Sequence, residues 1–145
     1  MNLYLDTSAL VKLYVDEEGS QAARLRVSRA RGVATSAIAY VEARAAFARK
    51  RRQRGLLPAA HRRIVRAFDA DWERYMRLEV TDSLIRDAAL LAEAHRLRAY
   101  DAIHLASATV LRSRLAEPVL FLSWDEDLES AAQREGLVSR IRTAD

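Results

Sequence analysis

Asn2-Leu3-Tyr4-Leu5-Asp6-Thr7-Ser8 sets how the rest of this chain is read. A short apolar run stops at an acid, and a pair of hydroxyl residues follows. The run predicts a buried strand over Asn2–Leu5. Thr7-Ser8 opens a helix whose core-facing residues are Leu10, Val11 and Leu13 through Val15. Asp6 then stands at the carboxyl end of the first strand, the edge at which open α/β sheets bind ligands.

Downstream the alternation repeats. Asp16-Glu17-Glu18-Gly19 is a break, Ser20–Arg31 is helical with Gly32 as its C-terminal cap, and Val33–Thr35 is a second strand. Ser36 is the N-cap of a long helix from Ala37 to about Arg54, and Gly55 and Pro58 mark the turn after it. Ile64, Val65, Phe68, Trp72 and Tyr75 recur at helical spacing in the next segment, Pro58 to Tyr75. Leu78–Val80 is a third strand, and Thr81 or Asp82 caps a helix through Leu97. Another helix starts near Asp101 and runs to Leu115; Val119–Leu122 is a fourth strand. The last helix is Glu126–Glu135, ended by Gly136, with Val138–Ile141 as a fifth, edge strand. Short apolar strands alternating with helices define an α/β fold: a central, mostly parallel sheet of four to five strands, flanked by helices on both faces. No repeat or linker divides residues 1–145, so a single domain is expected.

Half of the 145 residues are hydrophobic, enough for a real core. The absence of cysteine excludes disulfides, iron–sulfur clusters and thiolate zinc sites, and is compatible with a reducing cytoplasm. No apolar run is long enough to span a bilayer, and the opening residues lack the basic n-region of a secretory signal. The net charge of +4 is unevenly spread. Arg44, Arg49, Lys50, Arg51, Arg52, Arg54, Arg62, Arg63 and Arg66 fall in one stretch, which reads either as a solvated helix face or as a surface for nucleic-acid phosphates.

Four acids carry the chemistry. Asp6 and Asp125 each follow a strand, and each is either an ordinary helix N-cap or a ligand-edge carboxylate. Glu42 sits in Ser-Ala-Ile-Ala-Tyr-Val-Glu-Ala-Arg-Ala-Ala-Phe-Ala, sharing a face with Ile38 and Ala46. A carboxylate on an apolar face needs a partner or a cation, and neither Arg44 nor Arg49 is at helical-neighbour spacing. Asp101, in Tyr-Asp-Ala-Ile-His-Leu-Ala-Ser-Ala, reads as a helix start or as a site residue; His104 on the same face reads as structural or as a metal ligand. If such acids converged, each pair at ~5 Å would repel by roughly 3 kcal/mol at an effective dielectric of 20. Divalent cations supply the compensation, and a pair of magnesium ions is the usual arrangement for cutting phosphodiesters.

The motifs resemble those of PIN-domain proteins, in particular the VapC-type toxins of toxin–antitoxin pairs. Leu-Tyr-Leu-Asp-Thr-Ser-Ala-Leu-Val-Lys-Leu-Tyr resembles the first motif, Glu42 in Ser-Ala-Ile-Ala-Tyr-Val-Glu-Ala the helix glutamate, Tyr-Asp-Ala-Ile-His-Leu-Ala-Ser-Ala the third, and Phe-Leu-Ser-Trp-Asp-Glu-Asp-Leu-Glu-Ser-Ala-Ala the last. They occur in family order from Asn2 to about Gly136. Ser123 stands where the family often has threonine, which keeps the hydroxyl. The resemblance implies a PIN-like fold and a Mg2+- or Mn2+-dependent endoribonuclease acting on RNA in the cytoplasm. It also implies a small antitoxin partner and a homodimer. Asp6, Glu42, Asp101 and Asp125 would be catalytic and metal-binding, with Asp127 a further ligand; Asp125 is favoured over Asp127 because it directly follows the Ser-x pair. Ser8, and less strongly Thr7 and Ser123, would orient them, and Arg49, Arg51 and Arg52 would hold RNA.

Three rivals remain. An aspartate-nucleophile phosphatase would want an acid where Ser8 stands, and a receiver domain an acid in Val33-Ala34-Thr35-Ser36. A non-catalytic, basic RNA-binding module would account for the arginines but leave Glu42 unexplained.

Overall fold

The computed structural model describes residues 1–139. Five strands, β1 (Asn2–Leu5), β2 (Val33–Ser36), β3 (Met76–Leu78), β4 (Val119–Leu122) and β5 (Val138–Ser139), form one sheet in the order β3-β2-β1-β4-β5. Every pairing is parallel. Arg140 and Ile141 of the expected last strand fall outside the described residues. The helices are α1 (Thr7–Val11), α2 (Ser20–Arg29), α3 (Ala39–Arg54), α4 (Pro58–Trp72), α5 (Asp82–His95), α6 (Ala99–Leu115) and α7 (Glu126–Arg134).

Side-chain alternation along the two central strands feeds two cores. Leu3, Leu5, Leu120 and Leu122 enter one, with Leu10 of α1, Ala23 of α2, Phe47 of α3 and Phe68 of α4. Tyr4, Val119 and Phe121 enter the other, with Leu105 of α6 and Leu128 of α7. Tyr4 and Phe121 are register partners, and their rings stack with centroids 5.5 Å apart. Phe68 joins α4 to α3, with the rings of Tyr14, Tyr40, Phe47 and Trp72 centred 5.3–5.5 Å away. This aromatic knot leaves the basic ends of the α3–α4 hairpin outside, and Arg49, Arg51, Arg52, Arg62, Arg63 and Arg66 are exposed.

Several element ends differ from the expected ones. α1 stops at Val11, and Leu13–Val15 follow in turns that still pack on the core. Gly32 is not a helix cap, since α2 ends at Arg29 with extended Ala30 as its C-cap. Gly32 is small for another reason: a Cβ there would come within 2.7 Å of Asn2 Oδ1. Ser36 ends β2 instead of capping α3, whose N-cap is Ile38. β3 lies earlier than Leu78–Val80 because pairing Ala34↔Met76 and Ser36↔Leu78 fixes its register. α5 ends at His95, capped by Arg96, which takes the left-handed conformation at φ 54° without being glycine, and α6 starts at Ala99.

The order 3-2-1-4-5 reverses direction between β1 and β4. That topological switch point opens a crevice at the carboxyl ends of the two strands. Asp6 follows β1 there, and Ser123-Trp124-Asp125 follows β4.

Candidate active site

Asp6 is buried and caps α1, its Oδ1 accepting from the Ala9 N–H at 2.9 Å. The expectation of an N-cap therefore holds as far as it goes. Two serine hydroxyls also converge on the same carboxylate: Ser8 donates to Oδ1 at 2.7 Å and Ser123 to Oδ2 at 2.6 Å. Each serine oxygen accepts in turn from the opposite turn or its own, Ser8 from the Trp124 N–H at 3.2 Å and Ser123 from the Asp125 N–H at 3.0 Å. The β1–α1 and β4–α7 turns are thus laced together through one anion. Hydroxyls bonded to a charged group, one of them (Ser123) buried, are worth more than neutral pairs, which fixes the carboxylate's orientation.

Asp125 caps α7, its Oδ1 accepting from the N–H groups of Asp127 (3.0 Å) and Leu128 (3.2 Å). It is half-buried; Asp127 is exposed. Gly19 stands against the ring of Trp124, where a Cβ would come within 2.6 Å of Nε1, so the loop before α2 braces this turn.

Glu42, in the first turn of α3, has its partner far away in sequence. Thr7 donates to Oε1 at 2.7 Å, and His104 Nε2 of α6 is 2.9 Å from the same oxygen and 3.1 Å from the Thr7 hydroxyl. With the Thr7 proton committed to Glu42, both contacts assign a hydrogen to Nε2. Nδ1 then accepts from the buried Tyr4 hydroxyl at 2.8 Å in the neutral ring. Burial alone would raise the Glu42 carboxyl, but the His104 hydrogen bond, the charge that ring carries when protonated, and the Thr7 bond bring it below the ordinary range. Both ring nitrogens of His104 are hydrogen-bonded in this arrangement, and the ring serves Glu42, not Asp101. The sequence offered no signal for this pairing, because it joins α3 to α6 through the top of β1.

Asp101 is not a cap. The N-cap of α6 is Arg98, and Asp101 sits in the first turn with its Oδ2 3.3 Å from Arg98 Nε. That arginine side chain is 84% exposed against 21% for Asp101, so it is a weak restraint. Burial raises the Asp101 carboxyl, the Arg98 charge opposes this, and the charges of Asp125 and Asp6 add to the rise.

The donor set is all carboxylate oxygen, the chemistry of a hard divalent ion. Among the described residues, no three His, Asp or Glu side chains gather tightly enough to cage an ion. Magnesium does not need such a cage, because it is usually bound through one or two carboxylates and keeps several waters. Asp6 with Asp101 or Asp125 is a donor set of that size. The structure adds Lys12, whose Nζ is 3.0 Å from Glu17 Oε1 and 5.2 Å from the Trp124 ring centre. One lysine in an apolar helix turn carries no distinguishing sequence pattern.

A parallel sheet in this order, with Asp6 and Asp125 at the strand ends beside its switch point, defines an α/β domain with acids along that crevice. Residues 3–133 match the PIN domain family model, and the chain belongs to that family. It is 34% identical over 135 residues to "Ribonuclease VapC49" of Mycobacterium tuberculosis, covering 92% of this chain and 91% of that protein. Its fold is similar to that of Mycobacterium tuberculosis VapC20, described as a sarcin-ricin loop cleaving toxin (TM-score 0.63, 20% identity, 94% of this chain and 96% of that one). It is likewise similar to a chain of VapBC2 from Rickettsia felis, solved bound to a DNA fragment from their promoter (TM-score 0.61, 11% identity, 96% and 97% covered). No helix among the described residues is long and apolar enough to cross a membrane.

Proposed function

We propose that the protein is a Mg2+- or Mn2+-dependent endoribonuclease, the toxin of a toxin–antitoxin pair, acting on RNA in the cytoplasm. The observation that carries this reading is the Asp6 carboxylate, held by three donors at the end of β1, with its charge and that of Asp125 both acting on Asp101. The 34% identity to a VapC ribonuclease supports the substrate class, and the likeness to VapBC2 supports a small antitoxin partner and a promoter-binding complex. A homodimer belongs to the same proposal.

Asp6, Asp101 and Asp125 would hold the metal, with Glu42 beside them and Asp127 at the periphery. The ion supplies Lewis-acid polarisation of the phosphate and a water of lowered pKa. The chain's own contribution is orientation. Ser8 and Ser123 keep both Asp6 oxygens at fixed angles. His104 and Thr7 keep Glu42 ionised and aimed, so that it can orient a water at the phosphate by accepting its hydrogen bond. Arg49, Arg51 and Arg52 would draw the RNA backbone towards the crevice.

The test is cleavage of RNA by purified protein in Mg2+ or Mn2+, with and without excess chelator. Metal-dependent fragments that disappear in Asp101→Asn support the assignment. RNA binding without any cleavage would return the chain to a non-catalytic basic module.

A further inference from the structure

The carboxyl edge of the sheet presents acids to a substrate that is itself an anion, so the RNA backbone must be gripped from beside the acids. Such a grip exists. An open cavity of about 340 Å3 has walls that combine Thr7, Ser8 and Glu42 of the carboxylate site with Lys12, Arg49 and Lys50. Glu17, on the same wall, binds both lysines: Lys12 Nζ is 3.0 Å from Oε1, and Lys50 is hydrogen-bonded to Oε2. Arg54 approaches Oε2 at 3.8 Å. Lys12, Lys50 and Arg54 around Glu17, with Arg49 on the same wall, outnumber the two carboxylates Glu17 and Glu42, and the Lys12 side chain is only 12% exposed.

A partly buried cationic surplus is costly unless an anion completes it. Even with Glu42, Glu17 is too few charges. It does stay ionised: burial pushes its carboxyl up, but hydrogen bonds from Lys50 and Lys12 and their charges bring it below the ordinary range. The Trp124 ring, 5.2 Å from Lys12 Nζ, borders the ammonium from the turn that carries Asp125. Lys12 is therefore positioned from two elements at once, which is what a binding group needs and a solvated lysine lacks.

We propose that Lys12 and Lys50, positioned by Glu17, form a phosphate subsite that holds a backbone phosphate of the RNA adjacent to the one being cut. The subsite rests on the ribonuclease reading above. It differs from the exposed arginines of the α3–α4 hairpin in being walled and next to Glu42, so it sets the register of the strand in the crevice as well as its affinity.

The test uses the full-length protein and a fluorescein-labelled, mixed-sequence single-stranded RNA of 12 nucleotides. Binding is measured over a salt series in chelator, and cleavage is measured in Mg2+. Lys12→Gln and Lys50→Gln should each lower the steepness of the salt dependence by about 0.7, the value for one phosphate on a single strand. Both should raise KM more than they lower kcat. The double variant Lys12→Gln/Glu17→Gln separates binding from structure. If the lysines only neutralise Glu17, the double variant recovers both thermal stability and RNA affinity; a phosphate subsite recovers stability while affinity stays low. Recovered affinity, or an unchanged salt slope and KM in both single variants, overturns the subsite and leaves an active ribonuclease standing. A wild-type protein that neither binds nor cuts RNA overturns both readings.

Discussion

Asp6 and Asp101 stand at the same end of the sheet, and what holds them differs. Asp6 is buried at the end of β1 with a backbone N–H and two serine hydroxyls on its oxygens. Asp101, in the first turn of α6, faces one exposed arginine and the field of two other carboxylates. The first region is built to keep a charge in one geometry. The second holds a charge that the fold by itself disfavours, and such a charge is what a cation would stabilise. The same contrast separates two roles that chemistry at a phosphodiester requires, a fixed reference point and a responsive ligand.

Activity tests the contrast first. Asp6→Asn and Asp101→Asn should both reduce metal-dependent RNA cleavage to background, measured by gel at saturating Mg2+; retained cleavage in either removes that acid from the centre. Ser123→Ala should act next, through Asp6. It deletes a donor to Oδ2 and an acceptor for the Asp125 N–H, so a loss of about 10–100-fold in kcat/KM or metal affinity is expected. An active Ser123→Ala enzyme would mean that Asp6 needs no such support.

Stability should split the two aspartates in opposite directions, although like-charge repulsion alone would have both amides at least as stable as the parent. Asp6→Asn leaves serine donors facing an amide and weakens a cap, which should cost about 1 kcal/mol, or roughly 2–4 °C in Tm. Asp101→Asn should raise Tm at neutral pH. The Asp101 carboxyl is raised in the folded state, so its ionised form opposes folding. Its penalty grows as pH rises through the folded pKa and vanishes below the unfolded value. The gain from Asp101→Asn must therefore disappear in acid, and a gain that persists there has another cause. Glu42 has the reverse sign. Its carboxyl is lowered, so its stabilisation is present above the ordinary glutamate value and is lost as pH falls through the folded pKa. Glu42→Gln should flatten that acid limb in thermal melts.

The smallest effect concerns the arginines. Arg51→Ala with Arg52→Ala should flatten the salt dependence of RNA binding by about 0.7 for each RNA phosphate that the two side chains neutralise. An unchanged slope would leave that stretch a solvated face.

What the sequence could reveal follows the range of the interactions. β1 and β4 coincide with their expected limits because each is a short apolar run closed by a polar residue, Asp6 or Ser123. The burial of Glu42 was legible from its apolar helix. Its partner was not, because His104 is 62 residues away and is delivered by α6. Asp101 looked like a helix start because the break before it, Arg96-Leu97-Arg98, contains neither glycine nor proline, and Arg96 adopts the left-handed turn regardless. The Lys12–Glu17–Lys50 cluster was invisible for the reason that hid His104: Lys50 reaches Glu17 across 33 residues.

Ser123 reaches Asp6 across 117 residues, because β4, which pairs with β1 at the centre of the sheet, comes so much later in the chain. That separation orders events in time. During synthesis Asp6 emerges early, but its second oxygen lacks its serine donor until β4 has cleared the ribosome, and contacts of such separation form late. A nascent chain that has made β1 but not β4 therefore carries an incomplete nuclease, and the cell translating it meets a finished one only after β4 has followed.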